Sequence, residues 1–196
     1  KIKRRRTKIK RRRTKINREG TKIKIDFKII SQINIDIIAF QEIESLSSFN
    51  NLMDQLGEDW IGYRSGGNSS YGELAYAINT QEIEVLSIYT ILNQDAYYFA
   101  YREPYVLRFN YQGSEYIMIN NHFKCCGDGD LDQNNSSDEE YRRLISSQLL
   151  QEYVEDNYSN DSVIILGDLN DMISDDLKDE TSDDINVILV CYGMLF

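Results

Sequence analysis

The chain has few of the residues that most often carry chemistry. Its 196 residues include one histidine, His122, one proline, Pro104, and three cysteines. A closed zinc site needs four ligands from Cys, His or carboxylates, and no Cys-x-x-Cys pair occurs here. His122, Cys125, Cys126 and Cys191 total four, but adjacent cysteines fit poorly around a tetrahedral ion, so structural zinc is not expected. Two readings of Cys125 and Cys126 stand: a vicinal disulfide in an oxidising compartment, or two small, partly buried thiols. No apolar run approaches the roughly 18 residues of a membrane span. The basic N-terminus leads into no apolar stretch, so a secretory signal is not expected either.

Apolar residues make up 41% of the chain, enough for one domain with its own core. The net charge of −10 conceals an asymmetry. Residues 1–28 carry 15 Lys and Arg against Glu19 and Asp26, whereas the remainder carries 7 basic and 30 acidic residues. An acidic body repels a polyanion unless a metal ion or a local basic patch intervenes. The basic segment repeats every seven residues, KIKRRRT-KIKRRRT-KINREGT, with one apolar residue per repeat, too few for a coiled-coil seam. Residues 1–21 are expected to be a disordered low-complexity extension; a nucleic-acid arm is the competing reading. The foldable part is expected over 22–175, followed by an acidic and then apolar tail over 176–196.

Periodicity outlines an α/β protein. Residues 22–34 fit a helix or a strand. DIIAFQEIE, 36–44, predicts a buried strand ending in Gln41 and Glu42, and SLSSFNNLMDQL, 45–56, a helix capped by serine. Residues 62–72 are expected to form a loop. ELAYAIN (73–79) and EVLSIY (84–89) predict strands. Residues 101–112 and 114–124 predict a hairpin turning at Gln112-Gly113. Residues 136–157 predict a helix with a Ser137/Glu140 capping box and an apolar face of Leu144, Ile145, Leu149 and Tyr153. SVIILGDLND, 162–171, predicts a last buried strand.

Several of these strands end in Glu42, Glu73, His122 or Asp168, and strand ends are where such proteins place their sites. Glu42, Glu73, Asp168 and Asp171 with neutral Asn170 offer hard oxygen ligands, which suit Mg²⁺, Mn²⁺ or Ca²⁺. A neutral histidine beside them can move a proton to or from water. That set of parts matches metal-assisted phosphoester hydrolysis.

Five stretches carry a family resemblance: DIIAFQEIE, SSYGELAYAI, YREPYVLRF, INNHFK and ILGDLND. In this order and spacing the chain resembles the endonuclease/exonuclease/phosphatase superfamily, whose best-known member is deoxyribonuclease I, over about residues 22–175. The resemblance implies a four-layered α/β/β/α sandwich. It also implies a divalent-metal-dependent phosphodiester hydrolase of nuclease type, using Mg²⁺ or Mn²⁺ on nucleic acid or another phosphodiester, with no obligate protein partner. By resemblance Glu42 is the metal-binding glutamate, and Glu73 holds His122, the general acid or base. Asp168 and Asn170 orient the nucleophile, and Tyr71 and Arg102 contact phosphate. Sphingomyelinase-like and inositol-phosphatase-like branches share these motifs, and a non-catalytic nucleic-acid-binding remnant is the alternative of a different class.

The chain departs from the family pattern at both ends. The first strand with its metal-site asparagine is expected to be absent, and so is the later part with a second aspartate and an Asp-His pair. On that basis the chain is expected to be weakly active or inactive. One further motif lies after the cysteines. Asp128, Asp130, Asp132, Asn134, Ser136 and Glu139 fall at the ligand positions of a calcium loop, with Gln133 where the turn glycine belongs. A structural Ca²⁺ held by Asp128, Asp130, Asp132 and Glu139 is the functional reading of this loop, and a plain acidic loop the simpler one.

Overall fold

The computed structural model describes residues 35–66 and 72–170. The basic repeat, the 22–34 segment, Tyr71, Asp171 and the tail over 176–196 lie outside the described residues, as do both ends where family strands were expected to be absent.

Two sheets face each other. The first has the order β1-β3-β2, from β1 (Ile37–Ile43), β2 (Trp60–Arg64) and β3 (Glu73–Asn79), all antiparallel. Its centre, β3, is buried from Leu74 to Ile78, which explains the nearly continuous apolar run LAYAI. The second has the order β4-β5-β6-β7, from β4 (Glu84–Thr90), β5 (Tyr105–Tyr111), β6 (Ser114–His122) and β7 (Val163–Asp168). Strands β4, β5 and β6 are antiparallel neighbours, whereas β6 and β7 run parallel. A parallel neighbour needs a crossover, supplied by helix α2 (Glu139–Tyr158).

The inter-sheet core consists of Leu74, Tyr76 and Ile78 from β3 against Tyr105, Leu107 and Phe109 from β5. Burying each such side chain contributes about 1.5–3 kcal/mol, so this layer is a main source of stability. Helix α1 (Leu46–Leu56) covers the first sheet through Phe49, whose ring meets Phe40 edge to face at 5.9 Å. Helix α2 covers the second through Leu150, Val154 and Tyr158, packed on Val106, Ile117, Ile119 and Val163. The layers are therefore α/β/β/α, as the resemblance implies.

Three sequence expectations need correction. Residues 60–64 form β2 rather than the start of a loop. Gly62 sits within the strand where a side chain would strike Phe49 and Met53, so the glycine marks close helix packing and not a turn. The cap of α2 is Asp138, whose Oδ1 accepts the Tyr141 N–H at 2.7 Å, in place of the Ser137 box. The most buried residues of α2 are Arg142, Arg143, Ser146, Leu150, Val154 and Tyr158, while Leu149 and Tyr153 of the expected face are half-buried and pack against the same core. The two arginines among them bond to backbone carbonyls: Arg142 donates to Tyr97 O, and Arg143 Nη1 to Lys124 O and Cys126 O at 3.0 and 2.9 Å.

Candidate active site

The topology gathers one end of each sheet. Strand β6 ends at His122 and its parallel neighbour β7 at Asp168, and the two residues are direct register partners. Strand β1 brings Glu42 near its end, and antiparallel β3 starts beside it at Glu73, paired with Ile43. Arg102 lies just before β5, whose first residue, Tyr105, pairs with Asn120. Sequence positions 42, 73, 102, 122 and 168 thus share one end of the sandwich.

Local backbone features make this possible. Pairing of β1 with β3 slips between Phe40 and Ile43, and Glu42 takes a left-handed φ of 60° at the slip. Gly72 lies so close that a Cβ on it would stand 2.6 Å from Glu42 Cα. At Gly167 (φ 131°) a side chain would collide with the Asn121 carbonyl oxygen, so glycine allows β7 to press against β6 one residue before Asp168.

His122 is buried, with 2% of its side chain exposed, whereas Glu42 and Asp168 are 48% and 45% exposed. Nε2 of His122 lies 3.8 Å from Glu42 Oε1 and 3.9 Å from Asp168 Oδ2. Burial first and the Arg102 guanidinium second lower the imidazole pKa, Asp168 partly opposes both, and the balance lies at about 4. The ring is therefore neutral at pH 7, and the two carboxylate approaches are not ion pairs. Nδ1 is buried and meets no hydrogen-bonding partner among the described residues. Arg102 is itself buried, its Nη2 donating to Phe123 O at 3.1 Å. Burial lowers its pKa, while Glu42, Cys125 and Asp168 favour the charge. Asn170, left-handed at φ 52°, donates Nδ2 to the same Phe123 oxygen at 3.0 Å and its N–H to Asp168 Oδ1 at 2.9 Å.

Glu73, expected at His122, instead pairs with Arg64 at 2.9 Å. Arg64 lies in β2, a strand that the glycine-containing sequence does not announce, so this competitor is invisible to a linear reading. Cys125 and Cys126 are free thiols with sulfurs 3.0 Å apart, and Nε2 of His122 faces carboxylates. In the acidic loop, Asp128 and Asp132 accept the N–H groups of Asp130 and Asn134, and Glu139 pairs with Lys124 at 3.5 Å. The loop turns on these hydrogen bonds from its own backbone N–H groups to the Asp128 and Asp132 carboxylates.

Among the described residues no group of three or more His, Cys, Asp or Glu side chains is disposed to hold a metal ion. Glu42 and Asp168 nonetheless offer two half-exposed carboxylates beside one imidazole. Oxygen donors few in number and open to water fit Mg²⁺, which keeps several waters and takes one or two carboxylates.

Sequence reasoning missed Asn120. It is fully buried, accepts Gln41 Nε2 at 2.7 Å, and donates to Phe40 O and Ala75 O at 3.0 and 3.2 Å. It thereby ties β6 to β1 and β3 two residues before His122. The signal was the polar pair Asn120-Asn121 in an otherwise apolar strand.

No protein-family model matches the chain, and no curated protein sequence does. Solved structures do match. TDP2 from D. rerio, complexed with a single-strand DNA product, aligns at TM-score 0.59 and 12% identity, over 76% of this chain and 54% of that one. TDP2 from C. elegans aligns at TM-score 0.55 and 19% identity, over 78% and 43%. The human Nocturnin catalytic domain with bound sulfate aligns at TM-score 0.51 and 13% identity, over 76% and 56%. The chain spans about half the length of these structures. At such identities the likeness concerns the fold alone, a four-layered α/β/β/α sandwich of deoxyribonuclease I-like type. No helix among the described residues is long and apolar enough to cross a membrane.

Proposed function

We propose that the chain is a divalent-metal-dependent phosphodiester hydrolase of nuclease type with nucleic acid as its substrate. The observation that carries this reading is the approach of Glu42 and Asp168 to the Nε2 of a neutral, buried His122. A neutral imidazole can accept a proton, and the half-exposed carboxylates leave room for water in front of it. In this mechanism Nε2 takes the proton of a water as its oxygen bonds to phosphorus and the ester oxygen departs. Asp168, braced by the Asn170 N–H, orients that water. Arg102 adds positive potential behind the carboxylates, and with Tyr71 it is assigned to the phosphate. A divalent ion held by Glu42 and Asp168 would neutralise phosphate charge and polarise its oxygens. The D. rerio TDP2 structure, which holds a single-strand DNA product, supports the choice of nucleic acid.

Slow turnover is expected, because Glu73 is engaged by Arg64 and no carboxylate fixes Nδ1 of His122 among the described residues. The test is cleavage of supercoiled plasmid and of a labelled single-stranded oligonucleotide, with Mg²⁺ or with EDTA. Slow Mg²⁺-dependent cleavage, reduced about 100-fold or more by His122→Ala and by Asp168→Asn, is the expected result. Cleavage that survives EDTA or His122→Ala would refute the mechanism. Binding without any cleavage would favour the non-catalytic reading.

A further inference from the structure

After β4 the chain makes a short helical turn and leaves it through two consecutive left-handed residues, Ala100 (φ 53°) and Tyr101 (φ 60°). The first has a local reason. Ala100 N–H bonds Tyr97 O at 3.2 Å and Tyr101 N–H bonds Ala96 O at 2.7 Å. These are the paired bonds of a Schellman close, which places one left-handed residue at the position of Ala100. That motif requires nothing left-handed at the following residue, where a bulky side chain is strained.

The second left-handed residue has a clear geometric result. It leaves the Tyr101 side chain open, at 53% exposure, and turns the next residue, Arg102, inward to Phe123 O beside His122. Tyr101 stands edge-on to Tyr97, with centroids 6.3 Å apart and planes at 79°. Tyr97 is itself fixed: the Arg142 guanidinium lies 4.2 Å over its ring and its hydroxyl donates to Ser136 O at 3.1 Å. An exposed aromatic ring on a rigid base therefore lies one residue from a guanidinium at the candidate site. Charge limits what can bind there. From residue 29 onward the chain carries 7 basic and 30 acidic residues, so phosphate attraction is weak over this body. Stacking of a base on an aromatic ring does not depend on charge or on base identity.

We propose that Tyr101 is a stacking platform for one unpaired nucleobase beside the phosphodiester at His122, so that the preferred ligand is single-stranded nucleic acid. The location of that phosphodiester rests on the hydrolase reading above; the platform itself is tested by binding alone. The full chain is titrated, in EDTA, into a labelled single-stranded oligonucleotide and into an abasic oligomer of the same length, with fluorescence anisotropy as the readout. The basic first 28 residues meet phosphates in both oligomers and drop out of the affinity ratio. The wild type and Tyr101→Phe should prefer the base-bearing oligomer by at least about fivefold, and Tyr101→Gly should abolish that preference. Glycine relieves the left-handed strain, so the Tm of Tyr101→Gly should not fall, which separates an effect on stacking from one on folding. A preference that survives Tyr101→Gly would overturn the platform. So would a wild type that binds both oligomers equally or binds neither. An intact preference with no Mg²⁺-dependent cleavage would instead refute the hydrolase reading and leave the platform standing.

Discussion

At His122, burial and the Arg102 guanidinium disfavour a proton while Asp168 favours one, and the balance brings the pKa down to about 4. An unfolded histidine titrates near 6.5. Between those values the unfolded chain binds more protons than the folded one. Stability should therefore fall as pH drops from about 6.5 to about 4, by roughly 3 kcal/mol from this group, and be independent of it above 6.5. Because the chain has one histidine, its imidazole proton resonance assigns itself. An NMR titration should give a midpoint near 4, and Arg102→Gln should raise it by removing the nearby positive charge. A wild-type midpoint between about 6 and 7 would show that the imidazole is hydrated rather than buried. The sequence offered His122 as a candidate base, but its neutrality depends on burial and on Arg102, which only the fold brings together.

Strands β1 and β6 belong to different sheets, and Asn120 is the side chain that joins them next to the site. Asn120→Ala would strand the carbonyls of Phe40 and Ala75 and the amide of Gln41, each a buried polar group worth about 1–3 kcal/mol when unpaired. Destabilisation by about 3 kcal/mol or more is expected, read as a lower urea midpoint at unchanged slope. Any residual cleavage should fall further than stability requires, since Glu42 and His122 lose their common tie. The strands themselves were legible where burial gives a sustained pattern: IIAFQEI, ELAYAIN and VIILGD all fold as strands. Strand β2 was not legible, because Gly62 looks like a breaker unless the packed α1 helix is known. The hairpin also begins later than its apolar pattern suggests, at Tyr105, since Ala100 and Tyr101 are left-handed and Pro104 lacks a ladder donor. Likewise the face of α2 is misleading in sequence, because Arg142 and Arg143 count as solvent residues until the carbonyls that bury them are in place.

Across the whole molecule, periodicity reached only an α/β sheet protein, and the four-layered arrangement followed from the family resemblance that five short motifs in order carry. The pairing of Glu73 was not recoverable, since Arg64 reaches it from a strand that no motif announced. Charge is distributed on a still larger scale. The first 28 residues are strongly basic and the remainder is net acidic. On the proposed reading, affinity for nucleic acid would have two separable sources: phosphate neutralisation by the basic segment, which releases counterions, and stacking at the acidic body, which does not. Removing residues 1–28 should therefore cut oligonucleotide affinity at low salt and flatten its dependence on salt. For every phosphate no longer neutralised, the slope of log K against log salt should shrink by about 0.7 on a single strand. The preference for base-bearing over abasic oligomers should remain after the deletion. A salt slope unchanged by removing residues 1–28 would place the phosphate-binding charges on the body, and the charge argument for stacking would then fail.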